Sequence, residues 1–274
     1  MPAPETLRSR ANPLYKRLRA LRDKGAAAGL CLIEGPKLAL EALGAGLGVV
    51  EAAAAPRAET TPAGAAALQA LRARGVPVRR MTAELLASLS EAETSQGLVA
   101  VAERPAFELA AVLKGPAPLV LVIDGVQNPG NLGALLRSAE AAGATGALLT
   151  AGCADPLSWK ALRGSMGSAF RLPHVRGLAL EAALEALAAR GLRVLATASD
   201  GELRYDEADL RGPVAIVLGR EGSGLPPAAQ RRASARLRIP LHAPVESLNV
   251  GVAAALVLFE AARQRGFAER RGTR

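Results

Sequence analysis

The sequence predicts an α/β protein in which the residues from 119 onward form a mostly parallel sheet flanked by helices. Apolar stretches of strand length alternate there with helical patterns, the order that builds βαβ units. Runs such as "LVLVID" and "VAIVLG" are continuously apolar rather than alternating, which is typical of parallel strands buried on both faces. Ligands of such sheets bind beyond the carboxyl ends of the strands, so we expect the chemistry in the loops after residues 123, 198, 218 and 241.

The elements of this half are expected to follow one another as strand and helix. The predicted strands are 119–123, 146–150, 169–175, 192–198, 213–218 and 236–241. The predicted helices are 129–142, 156–166, 179–190 and 248–264.

A smaller α/β domain is predicted before this sheet. Residues 1 to about 24 form a basic helical pattern, and short strand candidates then alternate with Ala-rich helices. The strand candidates are Leu30–Ile33, Leu47–Glu51, Val76–Arg79 and Gly97–Val101. The segment "ERPAFELAAVLKGPAP" contains three prolines and interrupts the pattern. We therefore predict a first domain over 1–105, a linker over 106–118 and a second domain over 119–274.

The composition limits the classes of function. The net charge is +9 and the pI is near 10.5, so a nucleic acid is the expected partner, since cationic groups displace counterions from phosphates. Aromatic residues make up only 3%, which argues against a single-strand binder built on stacking platforms. Cys31 and Cys153 lie far apart without metal-ligand spacing, so neither a disulfide framework nor a metal site is expected. With no signal-peptide or membrane-span pattern, we expect a cytoplasmic protein.

The stretch "DGVQNPGNLGALLRSAEAAGA", residues 124–144, follows a predicted strand and opens a helix. Its glycines fit neither the GxxxxGK[ST] phosphate loop nor the GxGxxG dinucleotide loop, which excludes nucleotide hydrolysis and the usual nicotinamide chemistry. Asn128 is expected to cap the helix, with Pro129 at the first helical position and Gly143 beyond its end.

Helix geometry divides the side chains of this segment between two faces. The stripe suited to packing on the sheet consists of Leu132, Leu135, Leu136 and Ala139. The opposite face consists of Gly130, Gly133, Ala134 and Arg137, with Asn131 and Ser138 at its flank. This second face is a ledge of nearly bare backbone that ends in a guanidinium and is suited to receive a substrate. On geometry alone, the alternative that the glycines serve helix packing and Arg137 is a surface charge stays open.

Two further stretches lead from a strand through a loop into a helix. The stretch "VLGREGSGLP", residues 217–226, places Glu221 in a glycine-rich turn at the carboxyl end of a strand. In "IPLHAPVESLNVGVAAALVLFEAARQR", residues 239–265, Ser247 is a plausible N-cap and Asn249 is the last polar side chain before Glu260. The intervening helix is apolar all round but too short to span a bilayer, so we expect it to be buried against its own sheet and a second subunit.

Taken in order, "NPGNLGALLRSA", "LGREGSGL" and "IPLHAPVESLNVGVAAAL" resemble the motifs of the SpoU/TrmH family of RNA ribose 2′-O-methyltransferases, within the SPOUT superfamily. Residues 1 to about 105 are similar to the substrate-binding domain of rRNA-directed members, which resembles a ribosomal-protein fold. The resemblance implies a deep trefoil knot, a homodimer, S-adenosylmethionine bound without a metal, and methylation of RNA, above all large-subunit rRNA. A tRNA substrate and a non-catalytic RNA-binding role are the alternatives.

The motif positions also imply the residues of the site. The implied catalytic residues are Asn131, Arg137, Glu221, Ser247 and Asn249. The implied cofactor residues are Gly219, Ile239 and Leu248, with Thr197 and Leu218 as neighbours. Arg137 is expected to orient the 2′-hydroxyl and stabilise its developing charge while a substrate phosphate accepts the proton. Gly251 stands where many members have serine, and we expect this to alter only helix packing.

Overall fold

The computed structural model describes residues 6–24, 29–90, 94–220 and 222–267. The strands are β1 (Leu30–Glu34), β2 (Val49–Ala54), β3 (Val78–Arg80), β4 (Leu98–Glu103), β5 (Leu119–Ile123), β6 (Gly146–Thr150), β7 (His174–Leu178), β8 (Arg193–Thr197), β9 (Leu203–Arg204), β10 (Val214–Leu218) and β11 (Ala235–Arg238). The helices are α1 (Pro13–Lys24), α2 (Pro36–Gly44), α3 (Pro56–Thr60), α4 (Pro62–Ala73), α5 (Ala83–Ala87), α6 (Leu109–Val112), α7 (Pro129–Ala141), α8 (Trp159–Ser165), α9 (Ser168–Arg171), α10 (Leu180–Ala189), α11 (Pro227–Arg232) and α12 (Val250–Gln264). These elements form two compact units.

The first unit comprises Met1–Ala106 and Asp155–Arg171 and contains a sheet in the order β1-β4-β2-β3. Strand β4 is antiparallel to β1 and β2, whereas β3 runs parallel to β2. Helix α1 contributes Tyr15, Leu18 and Leu21 to the core of this unit. Their spacing of three residues puts them on one side of the helix, and Lys16, Arg17 and Arg19 remain exposed on the other side. The predicted small α/β domain is confirmed.

Residues 155–171 belong to this first unit, although the sequence analysis included them in the second domain. Arg104, which follows β4, donates from Nη1 and Nη2 to the two carboxylate oxygens of Asp155 at 3.0 and 2.5 Å. Arg171 of α9 pairs with Glu41 of α2. Contacts between residues so far apart in sequence leave no local pattern, so the sequence could not indicate them. That residues 106–118 act as the linker between two functional domains stays a prediction.

The second unit, Phe107–Ala154 with Leu172–Arg274, contains a seven-stranded sheet in the order β7-β6-β5-β10-β8-β11-β9. Every pair of neighbouring strands is parallel. The central strands β5 and β10 are buried at every residue, as their apolar runs predict. Helices α7, α10 and α12 pack against strands of this sheet, and α12 also packs against α7.

The strand predicted at 169–175 is wrong in its first half. Residues Ser168–Arg171 form helix α9, and the strand starts only at His174. Pro173 has no N–H to donate to a ladder, and its carbonyl accepts from the N–H of Ala147 at 2.9 Å. Proline therefore marks the entry to β7 instead of its interior. Strand β9 was not predicted, because it is only two residues long.

Of the helices described, none combines the length and the apolarity needed to cross a bilayer. The described His, Cys, Asp and Glu side chains form no group of three or more that could hold a metal ion. Both cysteines are free, and burial raises the pKa of the Cys31 thiol to about 11, so this thiol stays protonated at neutral pH.

Candidate active site

All the predicted cofactor residues except Leu248 lie at the carboxyl ends of three neighbouring strands. In the sheet, β8 lies between β10 and β11, and the register places Leu237 of β11 beside Thr197 of β8. The strand ends therefore bring Thr197, Leu218 and Ile239 to one edge of the sheet. The hydroxyl of Thr197 donates to the carbonyl oxygen of Val217 at 3.0 Å, which joins the ends of β8 and β10.

After β10 the chain turns back on itself through its own backbone. The N–H of Arg220 donates to the carbonyl of Gly224 at 3.1 Å, and the N–H of Gly224 donates to the carbonyl of Arg220 at 2.9 Å. A Cβ on Gly219 would lie 2.3 Å from the carbonyl carbon of Gly224 and 2.4 Å from the nitrogen of Leu225. The backbone thus passes too close for any side chain at position 219. Glu221, which the motif implies is catalytic, lies outside the described residues.

Helix α7 begins and ends as the sequence predicts. The Oδ1 of Asn128 accepts from the N–H groups of Gly130 and Asn131 at 2.8 and 3.2 Å. Pro129 is the first helical residue, and Gly143 follows the helix with a φ of 79°. The predicted apolar stripe is completely buried at Leu132, Leu135, Leu136 and Ala139. The helix is therefore fixed on the sheet by this stripe, with its capped end at the carboxyl edge.

The opposite face of α7 is open only in part. Gly130 and Arg137 are exposed, whereas Gly133 is buried and Ala134 is half-buried. Helix α12 packs on α7, and a Cβ on Gly251 would come within 3.7 Å of the Cβ of Ala134. The predicted ledge of nearly bare backbone is therefore exposed at Gly130 but not at Gly133. The guanidinium of Arg137 has no hydrogen bond or ion pair within the described parts of the chain.

Helix α12 is capped by Asn249, and the predicted cap Ser247 is wrong by two residues. The Oδ1 of Asn249 accepts from the N–H of Gly251 at 2.9 Å. The Nδ2 of Asn249 donates to the Oδ1 of Asn131 at 3.4 Å, so the first and third motifs meet here. Ser247 is exposed, and its hydroxyl has no hydrogen bond to any residue that the structure describes. Leu248 is half-buried just before the cap.

Two protein-family models match this chain. The model of the SpoU rRNA Methylase family matches residues 118–259. The model of the MRM3-like substrate binding domain matches residues 12–100. The chain belongs to the SpoU rRNA methylase family. Membership confirms the predicted family and the predicted enzyme class, an RNA ribose 2′-O-methyltransferase.

Relatives of this SpoU family member extend over most of its length. An uncharacterized tRNA/rRNA methyltransferase of Synechocystis is 35% identical over 266 residues, which cover 95% of this chain and 94% of the relative. A 23S rRNA (guanosine-2′-O-)-methyltransferase of Ralstonia nicotianae is 37% identical over 203 residues, or 72% of this chain and 81% of the relative. The crystal structure of an AdoMet-bound rRNA methyltransferase from Sinorhizobium meliloti superposes with a TM-score of 0.83 at 31% identity, covering 94% of this chain and 97% of that one. The predicted α/β fold class is confirmed.

A polar cluster that the sequence motifs did not indicate lies at the same edge of the sheet of this SpoU family member. Asp124 directly follows β5 and is 4% exposed. The hydroxyl of Thr150 donates to the Oδ1 of Asp124 at 2.7 Å and accepts from the N–H of Gly125 at 3.1 Å. The Nε of Arg220 lies 3.8 Å from the Oδ2 of Asp124. An aspartate placed directly after a continuously apolar strand is the signal that could have revealed this cluster.

Proposed function

We propose that this enzyme transfers a methyl group from S-adenosylmethionine to the 2′-hydroxyl of a ribose in large-subunit ribosomal RNA. The observation that carries the proposal is the contact between Asn131 and Asn249. The two asparagines come from motifs that are more than a hundred residues apart, yet they meet at the carboxyl edge of one sheet. Asn131 shares α7 with Arg137, which is exposed and has no hydrogen bond or ion pair to any residue that the structure describes.

The proposed cofactor fits the strand ends of β8, β10 and β11. They offer backbone groups, the partly buried side chains of Thr197 and Ile239, and a position at Gly219 where no side chain obstructs the backbone. Adenine and the methionine part of the cofactor suit such a surface, because apolar and neutral groups need close approach and few charges. When bound, S-adenosylmethionine supplies an electrophilic methyl group on a sulfonium. We propose Leu218 and Leu248 as further apolar contacts.

The polar side chains would align the ribose and assist the removal of the proton from its 2′-hydroxyl. Arg137 donates hydrogen bonds to the 2′-oxygen and stabilises the negative charge that develops there. Because a guanidinium stays protonated at neutral pH, a phosphate of the RNA accepts the proton in place of Arg137. Asn131 positions Arg137 or the substrate, and Glu221, Ser247 and Asn249 hold the surrounding loops. The rate then comes from positioning, and the reaction needs no metal.

The RNA substrate is supported by charge and by the relatives. The net charge of +9 favours a polyanion, and the matched substrate-binding domain covers most of the first unit. The Ralstonia relative is named as acting on guanosine in 23S rRNA, which favours the same RNA here. With a ribosomal substrate, we place the enzyme in the cytoplasm.

We further propose a homodimer that forms through α12. Its inner face is buried, but Val252, Leu256 and Phe259 on its outer face are 50%, 37% and 42% exposed. These residues lie four and three positions apart and so form one apolar stripe, which Phe267 extends by stacking on Phe259 at 5.9 Å. A second copy would cover this stripe symmetrically. Light scattering should give twice the chain mass, and Leu256→Glu should reduce it to the mass of one chain.

The trefoil knot implied by the family resemblance also belongs to this proposal. A Cβ on Gly201 would lie 2.7 to 2.8 Å from backbone atoms of Arg236, Leu237 and Arg238, so β11 passes directly against the loop after β8. The chain then continues to α12, which packs on α7 and β10 near the centre of the sheet. Close crossing followed by return to the centre is the path that a threaded chain would take.

The decisive experiment measures transfer of a tritiated methyl group from S-adenosylmethionine to total RNA, followed by separation of the RNA species. We expect label in 23S rRNA at one ribose, where the blocked 2′-oxygen makes the next linkage resistant to alkali. Label confined to tRNA would contradict the rRNA assignment and make tRNA the substrate. No label in any RNA or ribosomal particle would contradict the enzymatic proposal and favour an RNA-binding role.

A further inference from the structure

The cluster of Asp124, Thr150 and Arg220 is not explained by the methyl-transfer mechanism. Asp124 is buried, and its Oδ2 atom has no hydrogen bond to any of the residues that the structure describes. The hydroxyl of Thr150 satisfies only Oδ1. A buried carboxylate oxygen without a donor is costly unless a cation compensates it. The group that faces this oxygen is the Nε of Arg220, at 3.8 Å.

The stem of the Arg220 side chain lies directly against the backbone of Gly125. A Cβ at position 125 would lie 2.6 Å from the Nε, 2.8 Å from the Cγ and 3.1 Å from the Cδ of Arg220. Gly125 also has a φ of 62°, a conformation that other residues rarely adopt. The stem therefore lies against bare backbone, between the buried carboxylate and the solvent. This contact constrains the side chain without satisfying its donors.

The guanidinium of Arg220 remains available for a ligand. The Arg220 side chain is 58% exposed, and its guanidinium donates no hydrogen bond to any residue that the structure describes. A freely moving surface arginine would lose much side-chain entropy on binding, whereas an anchored stem has already lost part of it. The planar fork of donors matches the oxygens of a phosphate.

The position of Arg220 connects the two halves of the proposed site. Arg220 directly follows Gly219, which belongs to the cofactor side. Its stem covers Gly125, the start of the loop that leads to the cap Asn128 and to Asn131. A phosphate held by Arg220 would therefore lie at the carboxyl edge of the sheet, where the ribose must also lie.

We propose that Arg220 binds a backbone phosphate of the RNA substrate next to the methylated ribose, and that Asp124 is a positioning residue that acts through Arg220. This inference rests on the proposed function for the identity of the RNA. It adds a second guanidinium to the site, with a role different from that of Arg137: Arg220 holds the RNA backbone, whereas Arg137 contacts the reacting oxygen.

The test compares Arg220→Ala with Arg190→Ala in the full-length protein. Arg190 is also exposed, but it lies after α10 and before β8, at the opposite edge of the sheet. For Arg220→Ala we expect the KM for 23S rRNA to rise about tenfold, the size expected when one charged hydrogen-bonding group is lost. The kcat and the Kd of S-adenosylmethionine should stay unchanged. Arg190→Ala should match the wild type in all three values.

The salt dependence of RNA binding would not change on substitution if Arg220 had only a structural role. Loss of one phosphate contact should reduce the slope of log K against log salt concentration for RNA binding by about 1. Asp124→Asn should raise the KM for RNA in the wild-type background but add nothing in the Arg220→Ala background, because Asp124 acts only through Arg220.

Two results would overturn the proposal. One is an Arg220→Ala variant with unchanged RNA affinity and salt slope but a lower melting temperature, which would make Arg220 only a counter-ion for Asp124. The other is an equal effect of Asp124→Asn in both backgrounds. If the wild type methylates no RNA, the enzymatic proposal fails, but the salt slopes of RNA binding still decide the role of Arg220.

Discussion

The two sides of the carboxyl edge are built from different parts of the chain. On the proposed cofactor side, at the ends of β8, β10 and β11, the structure offers backbone and apolar groups, and Gly219 has no room for a side chain. On the proposed substrate side, it offers the side chains of Asn131 and Asn249 at the beginnings of α7 and α12, and that of Arg137 farther along α7. The first side should therefore be sensitive to added atoms, and the second to the loss of functional groups.

The largest effect is expected on the substrate side, from Arg137→Ala. Removing a donor that stabilises developing oxyanion charge costs about 10²- to 10³-fold in kcat, and loss of the positioning role adds to it. The Kd of S-adenosylmethionine, measured by calorimetry, should stay unchanged, because α7 does not belong to the cofactor side. Equal losses of cofactor binding and of methyl transfer would show that Arg137 supports the fold of the site and has no part in the chemistry.

The cofactor side should respond most strongly to Gly219→Ala. Its Cβ would lie 2.3 Å from the carbonyl carbon of Gly224, so the turn must move. Overpacking costs about 1–3 kcal/mol, which corresponds to roughly a five- to hundredfold rise in the Kd of S-adenosylmethionine. Gly212→Ala is the matched control, because Gly212 precedes the same strand and has no atom within 4 Å of its added Cβ. A normal Kd for Gly219→Ala would refute the backbone-built cofactor side.

The side chain of Asn249 both caps α12 and donates to Asn131, and two substitutions can separate these roles. Asn249→Ala removes the cap of α12 and should lower the free energy of unfolding by about 1 kcal/mol. Asn249→Asp keeps the accepting oxygen for the N–H of Gly251 but loses the Nδ2 donor to Asn131. We expect the aspartate variant to keep its stability in a denaturant titration and still to lose methyl transfer. If both variants lose stability and activity in proportion, Asn249 acts only as a cap.

The sequence predicts those features of the molecule that depend on residues close to one another along the chain. The apolar runs of β5 and β10 and the cap at Asn128 each carry a local signal, and the structure confirms them. The packing of α12 on α7 carries no such signal, because the two helices lie far apart along the chain. The same holds for the approach of Arg220 to Asp124. Motif order could therefore indicate which residues meet at the site, but not which of them would be covered.

The smallest effect is expected from Gly251→Ser, although Gly251 lies on the substrate side. Its contribution there is the backbone N–H that Asn249 accepts, which any residue except proline would supply. An added Cβ would lie 3.1 Å from the Oδ1 of Asn249 and 3.7 Å from the Cβ of Ala134, so the cap must shift by only a few tenths of an ångström. Relief of the helical penalty of glycine, up to about 1 kcal/mol, offsets this strain.

Melting curves and methyl-transfer assays of Gly251→Ser and Gly251→Ala should therefore agree with each other and lie close to the wild type. Both variants add the same Cβ, so a shared small change would report helix packing alone. A change in kcat seen with serine but not with alanine would mean that a hydroxyl at this position takes part in the chemistry. In that case the substrate side of this chain lacks a group that a serine at position 251 would supply, and the comparison between the two sides would have to include position 251.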